Sequence, residues 1–385
     1  MPGYITKRSK GSYTVVVDLG RDPVTGKRRQ LWRSVKGTKR AAETLLVQLL
    51  SQRDTGIDQP PGKMTVGHFL ERWLEHYARP NVSPKTLLQY EDFVRRQLIP
   101  ALGHVLLSKL RPQHIQEYYS HALQRGRADG KGGLSGKTVL HIHRLLRQAL
   151  HHAVKWQMLA SNPADAVQPP HPQRYEPPMI SAEEVRTLLS TVVNSPYGAI
   201  IHTAAMTGLR RGELQGLRWQ DVDLDAEIIH VRQAAQWLPR QGWSFRQPKT
   251  HRSRRPVALA PTTVKVLREH RRRQLEERLA LGPAYRDHGL VFATPLGLPI
   301  DPSNLRRHWI RLVRSAGVPY LRFHDLRHIH ATLMLLGGVH PKVVAERLGH
   351  SQVGITLDTY SHVLPHLQGQ AADGLERLLF AAEDA

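Results

Sequence analysis

Residues 207–219, Thr-Gly-Leu-Arg-Arg-Gly-Glu-Leu-Gln-Gly-Leu-Arg-Trp, have a composition and spacing suited to binding a phosphate group. Gly208 and Gly212 flank Arg210 at the expected start of a helix. Backbone N–H groups at a helix start and a fixed guanidinium can converge there on one anion. Taken alone, an arginine in this setting is more often part of a surface ion pair, so the segment needs support from elsewhere in the chain.

A second segment with similar potential is residues 323–332, Phe-His-Asp-Leu-Arg-His-Ile-His-Ala-Thr. It places His324 and Arg327 three residues apart and hence on one face of a helix. His350 follows downstream in Leu-Gly-His, and Tyr360 in Asp-Thr-Tyr. Each group alone has an ordinary structural explanation, such as a helix start packed against a carboxylate. Their joint occurrence in this order favours a single reactive site.

These segments resemble the active site of the tyrosine recombinase (phage integrase) family over residues 180–364. Members of that family use two arginines, a lysine, two histidines and a tyrosine. Matching motif to motif finds the complete set at Arg210, Lys249, His324, Arg327, His350 and Tyr360. The family also has a carboxylate three residues after the first arginine, which implies that Glu213 orients Arg210. The resemblance further implies that Lys249 lies at the turn between the second and third strands of a small sheet.

The chemistry of such a set can be argued from its electrophile, a phosphodiester whose oxygens are negative. Arg210 and Arg327 on the non-bridging oxygens would stabilise the charge of a pentavalent transition state. The phenol of Tyr360, the expected nucleophile, has an ordinary pKa of about 10 and needs a base and a positive field. His324 is the expected base, and His350 is the expected hydrogen-bond partner of the phosphate.

The departing deoxyribose oxygen needs a proton, and Lys249 is the expected general acid. The product would be a 3′-phosphotyrosyl DNA that conserves the bond energy, so strand exchange needs no ATP, metal or other cofactor. We therefore expect a site-specific DNA recombinase, an integrase of a mobile element, with excision left open. Two alternatives remain: a type IB topoisomerase, which shares the chemistry but relaxes a single duplex, and a DNA-binding regulator without catalysis.

The composition is strongly basic and contains no cysteine. The 55 Lys and Arg against 32 Asp and Glu give a formal charge of +23, which favours an anionic partner, above all nucleic acid. A membrane surface is the runner-up, but no apolar run reaches the roughly 18 residues of a spanning helix, and the N-terminus lacks a signal peptide. Disulfides, thiolate zinc sites and cysteine nucleophiles are excluded. A soluble, cytoplasmic protein is expected.

Turn signals and composition shifts predict a mainly helical fold with small β-sheets, of the α+β class. Residues 1–58 are expected to form three strands and a helix, and residues 64–167 an all-helical unit. Residues 168–179 are rich in proline and are expected to be a linker. Residues 180–385 are expected to form the catalytic domain, with a helix in its C-terminal tail.

The first part, with a turn expected at residues 22–26, resembles the arm-binding domain of lambda-like integrases. A small sheet can enter the major groove of DNA, so its strand surface is the expected reader of a second, arm-type site. The basic residues on or near its strands are the candidate contacts: Lys7, Arg8, Lys10, Arg28, Arg29 and Arg33.

The all-helical unit has Phe69, Trp73 and Tyr77 at four-residue spacing, and Ser83 followed by Pro84 predicts a helix start. Four helices are expected. The unit resembles the core-binding, SAM-like domain of the family, which holds DNA opposite the catalytic domain. Its candidate phosphate contacts are Lys85, Arg95, Arg96, Lys137 and Arg144.

The last domain is expected to open on a capping box formed by Ser181 and Glu184. Residues 228–231, 243–246 and 255–259 are expected to form one three-stranded sheet. The basic run from residue 249 to residue 255 would ordinarily be a solvated face.

An amphipathic helix is expected in the tail after Tyr360. The resemblance implies that such a tail docks on a neighbouring protomer in a homotetramer on double-stranded DNA. DNA-bending or directionality factors remain open as further partners.

Overall fold

The computed structural model describes residues 3–9, 11–21, 28–54, 64–172, 178, 180–239, 241–247 and 254–360, and a few helical positions beyond residue 371. The chain separates into two compact units, Met1–Arg174 and Tyr175–Ala385. It is mainly helical with small antiparallel sheets, so the predicted α+β class is confirmed. Within the described part, no helix combines the length and apolar character needed to cross a membrane.

The first unit begins with a three-stranded antiparallel sheet in the order β1 (Gly3–Ser9), β2 (Ser12–Arg21), β3 (Arg28–Lys36). Helix α1 (Lys39–Asp54) covers one face, where Val15 and Val17 pack with residues of the helix. The predicted three strands and helix are confirmed. The turn expected at residues 22–26 lies outside the described residues.

The other face of this sheet is named the aromatic face for Tyr4 and Trp32, which it presents among mainly polar residues. Tyr4, Val16 and Trp32 are direct partners across the three strands, and alternation puts them opposite the Val15 side. Tyr4 is 45% exposed and Trp32 57%. The register places Lys7 and Arg33 on the α1 side instead, because Lys7 pairs with Tyr13 and Arg33 with Val15.

The rest of the first unit consists of four helical rods within residues 64–172, as predicted. Two of the rods are interrupted by single π turns, and the described helices are α2 (Val66–Trp73), α3 (Arg79–Asn81), α4 (Pro84–Phe93), α5 (Ile99–Leu102), α6 (Pro112–Arg125) and α7 (Gly136–Lys155). Ser83 caps α4 by accepting a hydrogen bond from the backbone N–H of Thr86, which confirms that helix start. Phe69 and Trp73 are fully buried in the core of this unit.

The second unit is helical around two small β elements. In chain order it contains α8 (Ala182–Thr191), α9 (Gly198–Thr207), α10 (Arg211–Gln215), β4 (Val222–Asp223), β5 (Ile228–Val231), β6 (Ala234–Leu238), β7 (Gly242–Arg246), β8 (Arg255–Ala258), α11 (Pro261–Leu281), α12 (Pro302–Ser315), α13 (Asp325–Leu336), α14 (Pro341–Leu348) and α15 (Val353–Tyr360). The capping box is confirmed, since Ser181 and Glu184 exchange hydrogen bonds of 3.1 Å and 2.6 Å.

The predicted single sheet of this unit is wrong. Strand β5 lies between β4 and β8, whereas β7 pairs with β6 in a separate hairpin. Strand β6, Ala-Ala-Gln-Trp-Leu, lacks β-branched residues and was not recognised as a strand. The segment that contains Lys249 therefore joins the hairpin to the sheet rather than two neighbouring strands, and Lys249 itself lies outside the described residues.

Candidate active site

The site is built at the junction of α9 and α10. Gly208 ends α9 in the left-handed region, at φ +63°, and a Cβ there would lie 2.6 Å from a methyl carbon of Leu348. Only glycine tolerates both the positive φ and the close contact with Leu348. Two residues later Arg210 is the N-cap of α10. Gly216 lets the end of α10 approach β6, because a Cβ would lie 2.6 Å from the backbone nitrogen of Ala235.

Glu213 holds Arg210 by two hydrogen bonds. The backbone N–H of Arg210 donates to Oε2 at 2.9 Å, and Nη1 donates to Oε1 at 2.8 Å. Nη2 of Arg210 donates to the carbonyl oxygen of Gly349 at 3.1 Å. The Arg210 side chain is 38% exposed while Glu213 is 5% exposed, so the guanidinium reaches from a buried carboxylate toward the surface.

Arg255, at the start of β8, holds Glu213 from the other side. Its Nη1 and Nη2 donate to Oε1 and Oε2 at 3.2 Å and 3.0 Å. Burial alone would raise the pKa of Glu213, but the hydrogen bonds and charge of Arg255 and the charge of Arg210 outweigh it and lower that pKa. Glu213 is therefore an anion that orients Arg210.

The expectation of a solvated basic run is wrong for Arg255, which is buried. A signal for this was present in the sequence. Residues of β8 alternate, with Arg255 and Val257 buried and Pro256 and Ala258 exposed. Period-two alternation therefore assigns the arginine to the inner face of the strand.

Arg327 joins α13 to the ends of two other helices. It is buried, and Nη1 donates to the carbonyl oxygen of Gly208 at 2.8 Å while Nη2 donates to that of Leu348 at 2.6 Å. Together with Arg210 and Arg255 it binds three successive carbonyls at the end of α14, those of residues 347–349. Cations at a helix C-terminus stabilise its unpaired carbonyls. The result is a cluster of three guanidinium groups at one point of the backbone.

His350 follows this cluster directly. Its Nδ1 lies 2.7 Å from the hydroxyl of Thr356 on α15. Burial lowers the pKa of His350 to about 4, and the charges of Arg327, Arg210 and Arg255 act in the same direction. The ring is therefore neutral at neutral pH and able to donate a hydrogen bond.

His324 is the N-cap of α13 and keeps contact with solvent. Its pKa is lowered by partial loss of solvation and then by the charges of His328 and Arg327, against the opposing carboxylate of Asp325. It too is neutral at neutral pH and able to accept a proton.

The structure thus brings together five of the predicted residues around the end of α14: Arg210, Glu213, His324, Arg327 and His350. The backbone of Tyr360 closes α15, one helical turn beyond Thr356. The Tyr360 side chain and Lys249 lie outside the described part. Among the described residues, no group of three or more His, Asp or Glu is placed to hold a metal ion.

The candidate DNA contacts of the helical unit fall into two groups. Arg95 donates to both carboxylate oxygens of Glu71 at 3.0 Å, and Arg96 lies 3.0 Å from Asp92. Lys85, Lys137 and Arg144 are exposed, and no carboxylate of the described residues lies within ion-pair distance of them. The second group is therefore the better placed to bind phosphate.

In the sheet module, Lys7, Arg8 and Arg33 are exposed. The backbones of Arg28 and Arg29 lie at the start of β3, while their side chains and Lys10 are outside the described part.

Comparison with known proteins identifies the family. The phage integrase family matches residues 178–366, and the phage integrase N-terminal SAM-like domain matches residues 65–123. A tyrosine recombinase XerC-like protein of Caldanaerobacter subterraneus is 32% identical over 97% of both chains. This chain belongs to the tyrosine recombinase family. The recombinase is accordingly an enzyme of site-specific DNA recombination, as the motifs predicted.

Solved structures agree on the fold. A Tn1549 transposon integrase in complex with circular intermediate DNA has a TM-score of 0.68 at 21% identity, covering 82% of this recombinase and all of the other chain. A lambda integrase, solved as a tetramer bound to a Holliday junction, has a TM-score of 0.55 at 20% identity and covers 90% and 95%. At these identities the likeness concerns the fold.

Proposed function

We propose that this recombinase integrates a mobile element by cleaving and rejoining DNA through a covalent bond between Tyr360 and a 3′-phosphate. The observation that supports this most is the convergence of Arg210 and Arg327 on neighbouring carbonyls beside two neutral histidines. Two guanidinium groups held this close suit one phosphodiester, whose transition state carries extra negative charge.

The roles follow from charge and protonation. Arg210 and Arg327 bind the non-bridging oxygens, and Glu213 fixes the direction of Arg210. Neutral His324 takes the proton of the Tyr360 phenol, since a protonated ring could not accept it. His350 donates a hydrogen bond to the phosphate.

Lys249 is proposed as the general acid for the leaving oxygen. The segment that carries it ends at Arg255, whose side chain contacts Glu213. In a site that also contains Arg210 and Arg327, these positive neighbours would lower the pKa of a lysine and help it to release its proton.

The DNA complex is proposed to be a homotetramer on double-stranded DNA, by analogy with the lambda integrase tetramer. Within the helical unit, Lys85, Lys137 and Arg144 are the first candidates for phosphate contacts, and Arg95 and Arg96 the last. DNA-bending or directionality factors would act on the same complex. Since the similar proteins come from bacteria and a phage, we place the reaction in the bacterial cytoplasm.

The test of this function uses a core-site duplex selected from random sequences with the purified protein. A nick beside the cleavage point traps the intermediate, so a denaturation-resistant protein–DNA adduct is expected without ATP or metal. Two intact core sites should then recombine. Relaxation of a plasmid that lacks the core site, by a monomer, would instead support a topoisomerase, and binding without any adduct would support a regulator.

The N-terminal sheet module is proposed to read arm-type sites with its aromatic face. Trp32→Ala should weaken binding to the arm repeats by about tenfold or more, because Trp32 lies in the middle of β3 on the face opposite α1 and is 57% exposed. Cleavage of the nicked core-site duplex should stay unchanged. Footprinting and gel-shift titration on the element's ends measure the first effect, and adduct formation measures the second.

Val47→Ala is the matched control, because Val47 is 67% exposed on α1, away from the aromatic face. It should bind arm repeats like the wild type. Equal arm-site affinity of the Trp32 variant and the wild type, or no protected repeat at low salt, would contradict the proposed reader.

A further inference from the structure

Arg255 makes three polar contacts from a buried position. Its side chain is 6% exposed, its two terminal nitrogens donate to both oxygens of Glu213, and Nε donates to the carbonyl oxygen of Arg347 at 2.6 Å. A planar guanidinium can bind a carboxylate with two nitrogens and keep the third for another acceptor. Arg255 therefore connects β8 by hydrogen bonds both to α10 and to the end of α14.

The same guanidinium also packs against the backbone at Gly349. A Cβ at this residue would lie 2.8 Å from Nη1 of Arg255, and the residue has φ +68°. The chain at Gly349 thus lies directly against Arg255. The carbonyl of Gly349 accepts a hydrogen bond from Arg210, and the next residue is His350.

These contacts place Arg255 behind the reacting groups rather than among them. Glu213 stands between Arg255 and Arg210, and Gly349 separates Arg255 from His350. Loss of Arg255 would leave the buried Glu213 with the part-exposed Arg210 as its remaining ion-pair partner among the described residues. It would also release the carbonyl of Arg347. Both changes loosen groups that must hold a phosphate within fractions of an ångström.

We propose that Arg255 is a positioning residue of the cleavage reaction, which fixes Arg210 through Glu213 and fixes His350 through the end of α14. This inference rests on the proposed function of the same site. It assigns to Arg255 an effect on the rate of cleavage that is separate from its effect on stability.

The first variant is Arg255→Met, which keeps an unbranched, uncharged chain in place of the arginine stem and removes the hydrogen bonds of the guanidinium. Single-turnover adduct formation on the nicked core-site duplex should slow by about tenfold or more. The Kd for the same duplex should change by less than about threefold, because Arg255 is buried and does not face DNA. The melting temperature should also fall, since Glu213 loses a partner.

The second variant, Arg255→Met with Glu213→Gln, separates the two effects. The glutamine removes the buried charge, so the melting temperature should rise back toward the wild-type value. Cleavage should stay slower than that of Glu213→Gln alone, because the end of α14 next to His350 still lacks the hydrogen bond from Arg255. Arg218→Met is the matched control: it takes an arginine from another buried carboxylate of this unit, Asp221, and should lower stability but not the cleavage rate per folded molecule.

The outcomes are distinct. Recovery of cleavage together with stability in the double variant would show that Arg255 acts on stability alone and would overturn the inference, as would a normal rate for Arg255→Met. Absence of any adduct from the wild type would overturn the proposed function as well. Cleavage slower than that of Glu213→Gln at recovered stability supports the positioning role, and a rate equal to that of Glu213→Gln would overturn it.

Discussion

Replacing Tyr360 by phenylalanine is expected to abolish the covalent adduct completely while leaving DNA affinity within about threefold of the wild type. The substitution removes a single hydroxyl, and without that oxygen no phosphotyrosyl bond can form. The arginine cluster proposed to bind phosphate is untouched. Denaturing gels of the nicked core-site reaction measure the adduct, and gel-shift titration measures the affinity.

Tyr320→Phe is the matched control for this variant, since Tyr320 lies in the same unit and is 58% exposed. It should form the adduct at the wild-type rate. A denaturation-resistant complex formed by the Tyr360 variant would show that another residue is the nucleophile.

The second large effect is expected for Arg210→Ala. Removing one cation from the phosphate should slow cleavage by at least about 100-fold, equivalent to roughly 3 kcal/mol of transition-state stabilisation. Glu213 keeps its two hydrogen bonds from Arg255, so the fold should tolerate the change. Single-turnover adduct formation at saturating protein is the measurement, with circular dichroism as the check on folding.

Arg211→Ala is the control for Arg210, because Arg211 is the next residue and is exposed at the start of α10. Its cleavage rate should match the wild type. Arg327→Ala should also abolish cleavage, but it removes two buried hydrogen bonds to backbone carbonyls and so lowers stability too. If Arg210→Ala cleaved within tenfold of the wild-type rate, the phosphate would have to bind elsewhere.

Local signals in the sequence determined several helix starts. The capping box at Ser181, the serine cap at Ser83 and the start of α10 at Arg210 all agree with the structure. Such signals work because a cap satisfies backbone groups within three residues of itself. The strands of the N-terminal module were predictable for a related reason, since β-branched residues and turn residues act over short distances.

The sequence also supplied the candidate site as an ordered set of motifs. The structure brings Arg210, His324, Arg327 and His350, which the resemblance names, close together. The roles of these four residues, like those of Lys249 and Tyr360, stay predictions.

Only the tertiary structure showed which partners these residues have. Glu213 and Arg255 are 42 residues apart in the chain, and Arg210 and Gly349 are 139 apart. No local pattern encodes such pairs, because side chains this distant meet only after the helices and strands have packed. The same reason applies to the ion pair between Arg95 and Glu71, which lowers the rank of one DNA candidate.

The pairing of the β-strands could not be predicted from local patterns either. The segments of β5, β7 and β8 could be predicted one by one, yet β7 pairs with β6, a strand that its sequence does not predict, and not with β8. Strand pairing depends on what packs beneath, here the close approach of α10 to β6 at Gly216. The exposure of Trp32 likewise depends on tertiary packing, because α1 covers the face of the sheet opposite to Trp32.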